Sequence, residues 1–344
     1  MLCLAGDIFI RNVADDLVAV NSVESIDDEG KLGMTRASII KDLPNHQFHY
    51  GTPIYYESRY NKEWRLRKHL RHDILGAKQP GCAKESPSWR NMLRLKDVPW
   101  LDDHKLLPVP IFPAAGYLAM AIEALSQYHH EANDAEELEG FSFRNVAINL
   151  TMQIPDDDFG LETILNLQAA NLTISKTSEK WHDFRISSLQ NDRSTEHCNG
   201  SIRAETQRAV LQSSDANDFS IYPKSKPVDS ASWYEKFADV CLGYGPTFQG
   251  LNDIRARPNV NRATTTIALH TSEGNVKGGE SSYPMHPSTI DFCLQLALIA
   301  CHAGQPGNVR QASVPVVADE VSLWIPNDED KAASIGYGQA TGEV

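Results

Sequence analysis

Residues Trp100 to Ala121, WLDDHKLLPVPIFPAAGYLAMA, set an aspartate-flanked histidine nine residues ahead of a proline that opens an apolar segment. Proline at a first helical turn loses no needed N–H and presets φ. From Ala114 to Leu125 the chain is almost wholly apolar. Leu118, Ile122 and Leu125 recur at spacings of four and three, which is one face of a buried helix. His104 is thereby delivered to the mouth of an apolar helix wrapped by sheet. Imidazole is the side chain best suited to take a proton near neutrality. A structural histidine beside a core helix satisfies the same pattern, so this stretch alone leaves both readings open.

A second apolar segment lies far downstream, Met285 to Ala300, MHPSTIDFCLQLALIA. Asp291 interrupts it, with Gln295 one helical turn later, so both side chains share a face. A carboxylate among Phe292, Leu294, Leu296 and Leu298 is costly to bury unless it is paired or used. The competing reading is an acid near a helix start, held by the positive helix end.

These two stretches, with GYGPTFQGL at 243–251, resemble the dehydratase domain of polyketide and fatty acid synthases. His104 with Pro113 nine residues on, Asp291 with Gln295 four residues on, and a YGPxF signature at Tyr244, Gly245 and Pro246 follow in that family's order. RHDILG at 71–76 and WRNMLRLKDVPWLDDH at 89–104 are similar to the domain's opening. The likeness is greatest to fungal highly reducing iterative polyketide synthases and covers nearly the whole chain. One position departs: the family carries Gly four residues after the histidine, and here it is Pro108, which lacks both the dihedral freedom and an N–H. His72 is a decoy, with Gly76 four residues on but Pro80 one place short; it reads as opening strand and loop.

The 344 residues hold 41% hydrophobic and 22% charged residues, as a soluble globular protein does. No run is long enough to span a bilayer, and the N-terminus lacks the pattern of a signal peptide. Six scattered cysteines without a CxxC pair predict reduced thiols in a cytoplasmic protein. A net charge of −13 argues against nucleic acid as a partner. His129 and His130 fall in a polar loop without zinc-site spacing, and His182 and His197 read as half-exposed strand residues. No metal or nucleotide is expected.

Residues 1–70 read as a segment joining an acyltransferase to the dehydratase, 71–210 as an N-terminal unit, 211–228 as a linker and 229–344 as a C-terminal unit. Each unit shows one buried-type helix and several alternating strands. With the resemblance, this predicts an α+β double hot dog, two helix-wrapped antiparallel sheets in one chain. Arg65, Arg67, Lys68, His69, Arg71 and His72 form a basic cluster that reads first as a solvated face, and more weakly as a contact for an acidic carrier.

The resemblance implies loss of water from a 3-hydroxyacyl thioester to give the 2-enoyl thioester, with His104 as base and Asp291 as acid. Gln295, Tyr244, Gly245, Pro246, Pro108 and Pro113 are the expected substrate-binding or supporting residues. No cofactor is implied beyond the phosphopantetheine of an acyl carrier protein, which with neighbouring synthase domains is the expected partner; a homodimer is left open. Two other functions compete: a product-template-like cyclisation domain, and a catalytically silent dehydratase-like scaffold, the latter kept open by Pro108.

Overall fold

The computed structural model describes residues 22–36, 51, 56–132, 137–173, 176–208, 226–256, 260–270, 280–327 and 334–339. Most of the expected linker 211–228, and much of the expected joining segment 1–70, lie outside these. The chain forms two compact units, Met1–Tyr56 and Glu57–Val344. In the first, β1 (Ser22–Ile26) pairs antiparallel with β2 (Leu32–Arg36). Their turn is closed by Asp27, whose Oδ1 accepts from the amides of Glu29 and Lys31.

The second unit begins with α1 (Arg59–Arg65), capped by the Ser58 hydroxyl. Then come β3 (Ala77–Lys78), β4 (Ser88–Leu93), a 3-10 turn at Pro99–Asp103, β5 (His104–Leu106) and β6 (Val109–Pro110). Helix α2 (Ala114–Ala132) precedes β7 (Gly140–Ile148), β8 (Leu161–Thr173), β9 (Lys176–Gln190) and β10 (Arg193–Glu205). The second half supplies β11 (Lys226–Val228), α3 (Ser230–Asp239), β12 (Leu242–Tyr244), β13 (Leu251–Ala256) and β14 (Arg262–Ile267). Helix α4 (Pro287–Cys301), β15 (Val317–Trp324) and β16 (Ser334–Gln339) complete it.

An antiparallel sheet of seven strands runs β15-β7-β10-β9-β8-β4-β3, and one of four strands runs β11-β13-β14-β16. Helix α2 packs on β8 and β10, α4 packs on β13, β14 and β16, and the two helices pack on each other. The α+β expectation of two helix-wrapped antiparallel sheets therefore holds. β15 arises late in the chain yet extends the larger sheet through β7.

Alternation builds both cores. In β4, Ser88, Trp89, Asn91 and Leu93 turn inward while Arg90 and Met92 turn out. Trp89, Leu165, Phe184 and Ile202 meet Tyr117, Met120 and Ala121 of α2, all at most 2% exposed. Trp233, Phe237, Leu251 and Ile254 meet Phe292, Leu296 and Ile299 of α4 in the second core. Helix α2 is sheathed on most sides because Ala115, Gly116, Ala119, Ala121 and Ala124 let its neighbours approach closely. A Cβ on Gly116 would sit 2.7 Å from the Phe112 ring. Among the described residues no helix is long and apolar enough to cross a membrane.

Three local expectations are corrected. α2 runs past Leu125 to Ala132, so His129 and His130 form its last turn rather than a loop. His182 and His197 do lie in strands, but they are buried. The ring of His197 is bracketed by the Ser188 hydroxyl at 2.8 Å and the Leu150 carbonyl at 3.0 Å. His182 packs edge-on against Tyr128 of α2.

The RHDILG opening closes on itself, with His72 and Gly76 exchanging backbone hydrogen bonds. Gly76 adopts φ +80°, and a Cβ there would lie 2.1 Å from the Arg90 carbonyl of β4. Gly76→Ala is expected to lower stability by about 2 kcal/mol or more, the strain and the backbone clash adding, as read by urea denaturation.

Candidate active site

His104 opens β5 directly after the 3-10 turn, whose Trp100 and Leu101 are buried. Its Nδ1 lies 3.1 Å from the Ile111 carbonyl. A carbonyl can only accept, so in the neutral imidazole Nδ1 carries the proton and Nε2 the lone pair. The Ile111 amide in turn donates to the His104 carbonyl at 3.0 Å, which holds β5 and the approach to α2 together.

β5 is the middle strand of a third sheet, β12-β5-β6, in which His104 faces Tyr244 across the ladder. The imidazole packs against Phe248 at 5.1 Å and edge-on against Tyr244 at 5.6 Å between ring centroids. Asp103 locks this arrangement. Its carbonyl accepts from the Gly245 amide at 2.7 Å, and its carboxylate accepts from the Thr247 amide at 3.1 Å and hydroxyl at 2.6 Å. Gly245 must be glycine here, because a Cβ would meet the Asp103 carboxylate at 2.2 Å. Pro246 starts the short 3-10 turn Pro246–Phe248 and is exposed.

Asp291 sits in the second turn of α4 and is 4% exposed. Its Oδ2 accepts from Gln295 Nε2 at 2.8 Å, and that nitrogen also donates to the Phe248 carbonyl at 3.1 Å. Gln295 Oε1 accepts from the Tyr234 hydroxyl at 3.2 Å, which itself accepts from the Leu251 amide at 3.2 Å. Burial pushes the Asp291 carboxyl above its ordinary range, opposed by His104 and by the Gln295 hydrogen bond. Burial, with the Asp291 charge second, holds the Tyr244 hydroxyl well above the usual phenol value, so it stays a donor.

His104, Tyr244 and Asp291 all face one cavity of about 220 Å³. Ile111, Phe112, Leu242, Leu294 and Leu298 make its walls apolar, and Ala114 brings in the start of α2. Amides in a first helical turn have no intrahelical acceptor and carry the positive end of the dipole. The cavity thus offers a lone pair, an acid, a phenol and a helix N-terminus around apolar walls.

The expected residues fall at different depths. His104, Asp291 and Tyr244 line the cavity. Gln295 stands behind Asp291, Gly245 under Asp103, and Pro113 is buried just before α2. Pro108 is exposed in the turn between β5 and β6, away from the residues that line the cavity. Asp103, Thr247 and Tyr234 were not expected; the only trace of them in the sequence is the second aspartate before His104 and the threonine inside GPTF.

Two family models match this chain. One, described as the polyketide synthase dehydratase domain, covers residues 72–189, and the other, described as the polyketide synthase dehydratase N-terminal domain, covers residues 223–338. The chain belongs to the polyketide synthase dehydratase family. This dehydratase domain is 44% identical over 345 residues to prosolanapyrone synthase of Alternaria solani, covering 99% of the chain and 13% of the relative. It is 41% identical over 346 residues to the highly reducing polyketide synthase xilA of Penicillium crustosum, covering 99% and 14%. The domain therefore spans a small part of the length of these relatives.

Among solved structures, the dehydratase domain from the CurF module of curacin polyketide synthase superposes with a TM-score of 0.60 at 16% identity, over 80% of this chain and 90% of that one. A CurK dehydratase described as an inactive mutant, with Phe in place of a His, gives 0.56 at 19% identity over 79% and 92%. A second CurK inactive mutant, with Asn in place of an Asp, gives 0.55 at 20% identity over 72% and 80%. These likenesses carry the fold, the double hot dog.

Asp103→Ala would strand the Thr247 amide and hydroxyl. It is expected to cost about 1–3 kcal/mol in stability and to lower kcat more than it raises KM, because His104 and Tyr244 lose their common anchor. Asp103→Asn, which keeps an acceptor for Thr247, should recover most of both in steady-state kinetics and thermal unfolding.

Proposed function

We propose that this domain removes water from a 3-hydroxyacyl thioester, delivered on the phosphopantetheine of an acyl carrier protein, to give the 2-enoyl thioester. One observation carries the reading: an imidazole with Nε2 unprotonated and a buried carboxyl of raised pKa face the same small apolar cavity. A base that can take a proton and an acid that can give one, on two sides of one cavity, are the division of roles that dehydration needs.

His104 Nε2 takes the C2 proton, and the electrons of that C–H bond form the C2–C3 double bond. The C3–O bond breaks, and Asp291 supplies the proton with which the hydroxyl leaves as water. The C2 proton is weakly acidic, so negative charge reaching the thioester oxygen needs a donor. The first-turn amides of α2, at Ala114, are suited to that task. Tyr244 can donate to the departing hydroxyl. After release, the proton on His104 returns to Asp291 and resets the site. Every proton in this scheme is handled by the chain's own groups, so it calls for no cofactor other than the carrier arm.

The inactive CurK mutants support the assignment by analogy, since a histidine and an aspartate are the residues replaced there. The carrier partner and a cytoplasmic setting follow from the synthase family in the same way. A homodimer stays open.

The test is loss of one water from a short 3-hydroxyacyl pantetheine thioester, followed by mass spectrometry. His104→Ala and Asp291→Asn are each expected to lower turnover by about a hundredfold to ten-thousandfold. Full activity in both would overturn the reading. With Asp291 as the acid, turnover should also fall as pH rises through its raised pKa.

Stability separates function from structure at the same residue. A carboxyl whose folded pKa is raised stabilises the fold below its unfolded pKa, and that contribution is lost as pH rises through the folded value. Asn retains the acceptor for Gln295 without the burial of a charge. Asp291→Asn is therefore expected to unfold at a higher temperature than the parent at mildly alkaline pH, while being the less active protein.

A further inference from the structure

Three metal-ligating side chains meet at the start of α4, outside the catalytic cavity. His286 Nε2 lies 2.9 Å from Glu280 Oε1, and His270 Nε2 lies 3.2 Å from Glu280 Oε2. One ligand atom from each residue falls within 4.8 Å of the others. The two imidazoles stack, 4.0 Å between centroids and 31° between planes, so both present Nε2 to the same carboxylate.

We propose that His270, Glu280 and His286 bind a divalent transition-metal ion, Zn2+ in the first instance, that staples two chain segments to the first turn of α4. Tetrahedral Zn2+ with bonds near ~2.0–2.1 Å sets its ligand atoms roughly 3.3 Å apart. The two histidines reach different oxygens of Glu280 at 2.9 and 3.2 Å, and one atom from each of the three residues lies within 4.8 Å of the others, so a small turn of the carboxylate completes the set. Two imidazoles and a carboxylate suit zinc, and three protein ligands leave a fourth position for water.

The donors are held ready. The His270 amide donates to Thr289 Oγ1 at 3.1 Å. His286 is the N-cap of α4, its Nδ1 accepting from the Ser288 amide at 3.1 Å and lying 2.7 Å from Ser288 Oγ. Next to Glu280, the Ser281 amide donates to Asp73 Oδ2 at 3.2 Å, and Ser281 Oγ accepts from the Asp73 amide at 3.0 Å. All three ligand-bearing segments are thus anchored, the condition that separates a built site from a chance cluster.

The proton inventory closes. With no ion, each Nε2–H donates to one oxygen of Glu280. With an ion, each imidazole moves its proton to Nδ1 and ligates through Nε2. For His286 the Ser288 hydroxyl, 2.7 Å from Nδ1, is placed to accept that proton, and the capping hydrogen bond from the Ser288 amide to Nδ1 is given up in exchange. The expectation of no metal came from the chemistry the resemblance implies and, for His129 and His130, from their spacing. Intervals of ten and six residues without cysteine match no motif, and only the fold brings the three together.

The proposal stands on this geometry and is independent of the dehydration reading. The chain would be stripped with chelator, then titrated with ZnCl2 by calorimetry and with Co2+ by visible absorption. The expected result is one ion per chain, a tetrahedral Co2+ band, and binding weakened at least about tenfold in His270→Ala and in Glu280→Gln. Zn2+ should raise the unfolding temperature of the stripped parent and leave that of His270→Ala unchanged. His270 is partly exposed and caps nothing, so its variant is expected to fold, which circular dichroism checks; His286, the helix cap, is left intact. Absence of stoichiometric binding by the folded parent, or binding as tight as the parent's in either variant, overturns the proposal.

Discussion

The antiparallel pairing of β5 with β12 holds the proposed base, His104, beside Tyr244. It is a contact of three residues on each side, Leu242 on Leu106, Gly243 on Lys105 and Tyr244 on His104. A ladder so short is weak by itself. Asp103 strengthens it by spending its carbonyl on Gly245 and its carboxylate on Thr247. Three hydrogen bonds at one residue turn a marginal strand pair into a fixed distance between the imidazole and the tyrosine.

Each half then contributes what its own helix can supply. α2 is short-side-chained and apolar, so its first turn can approach the cavity with bare amides. α4 carries larger side chains, and its carboxylate reaches into the same space from the opposite wall. Because the helices pack on each other as well as on their sheets, the acid and the helix N-terminus are set by core packing and not by loops. That is the rigid placement an acid–base pair requires.

The sequence showed the helices and the two reactive groups. A polar residue inside a strictly apolar, helix-periodic run is conspicuous. Asp291 stands out in that way, and His104 through its nine-residue spacing to the proline that precedes the apolar helix. Asp103 and Thr247 do not, since their contact spans 144 residues and neither interrupts a pattern. Tyr234 is hidden for the same reason, 61 residues from Gln295. The buried state of His182 and His197 comes from contacts distant in sequence: His182 shares the buried face of β9 with Phe184 and Ile186 and packs on Tyr128, and His197 is held between Ser188 and Leu150. The polar end of α2 looked like a loop because its composition is charged. Tertiary contacts keep it helical, among them the ion pair of Glu131 with Lys78. The place of β15 beside β7 depends on edge pairing, which local sequence does not encode.

The relay behind Asp291 settles a point that heavy-atom positions leave ambiguous. The Leu251 amide can only donate, so the Tyr234 oxygen accepts from it and its own proton goes to Gln295. Gln295 must therefore present its carbonyl to Tyr234 and its amide to Asp291 and the Phe248 carbonyl, both of which accept. With Oδ2 of Asp291 already receiving an N–H, a proton on this carboxyl belongs on Oδ1. One oxygen is tied to the protein, and the other is the one from which the proposed acid would give its proton. Glutamine performs this service without a charge of its own. A cationic partner at the same position would draw the Asp291 pKa down and weaken the acid that burial creates.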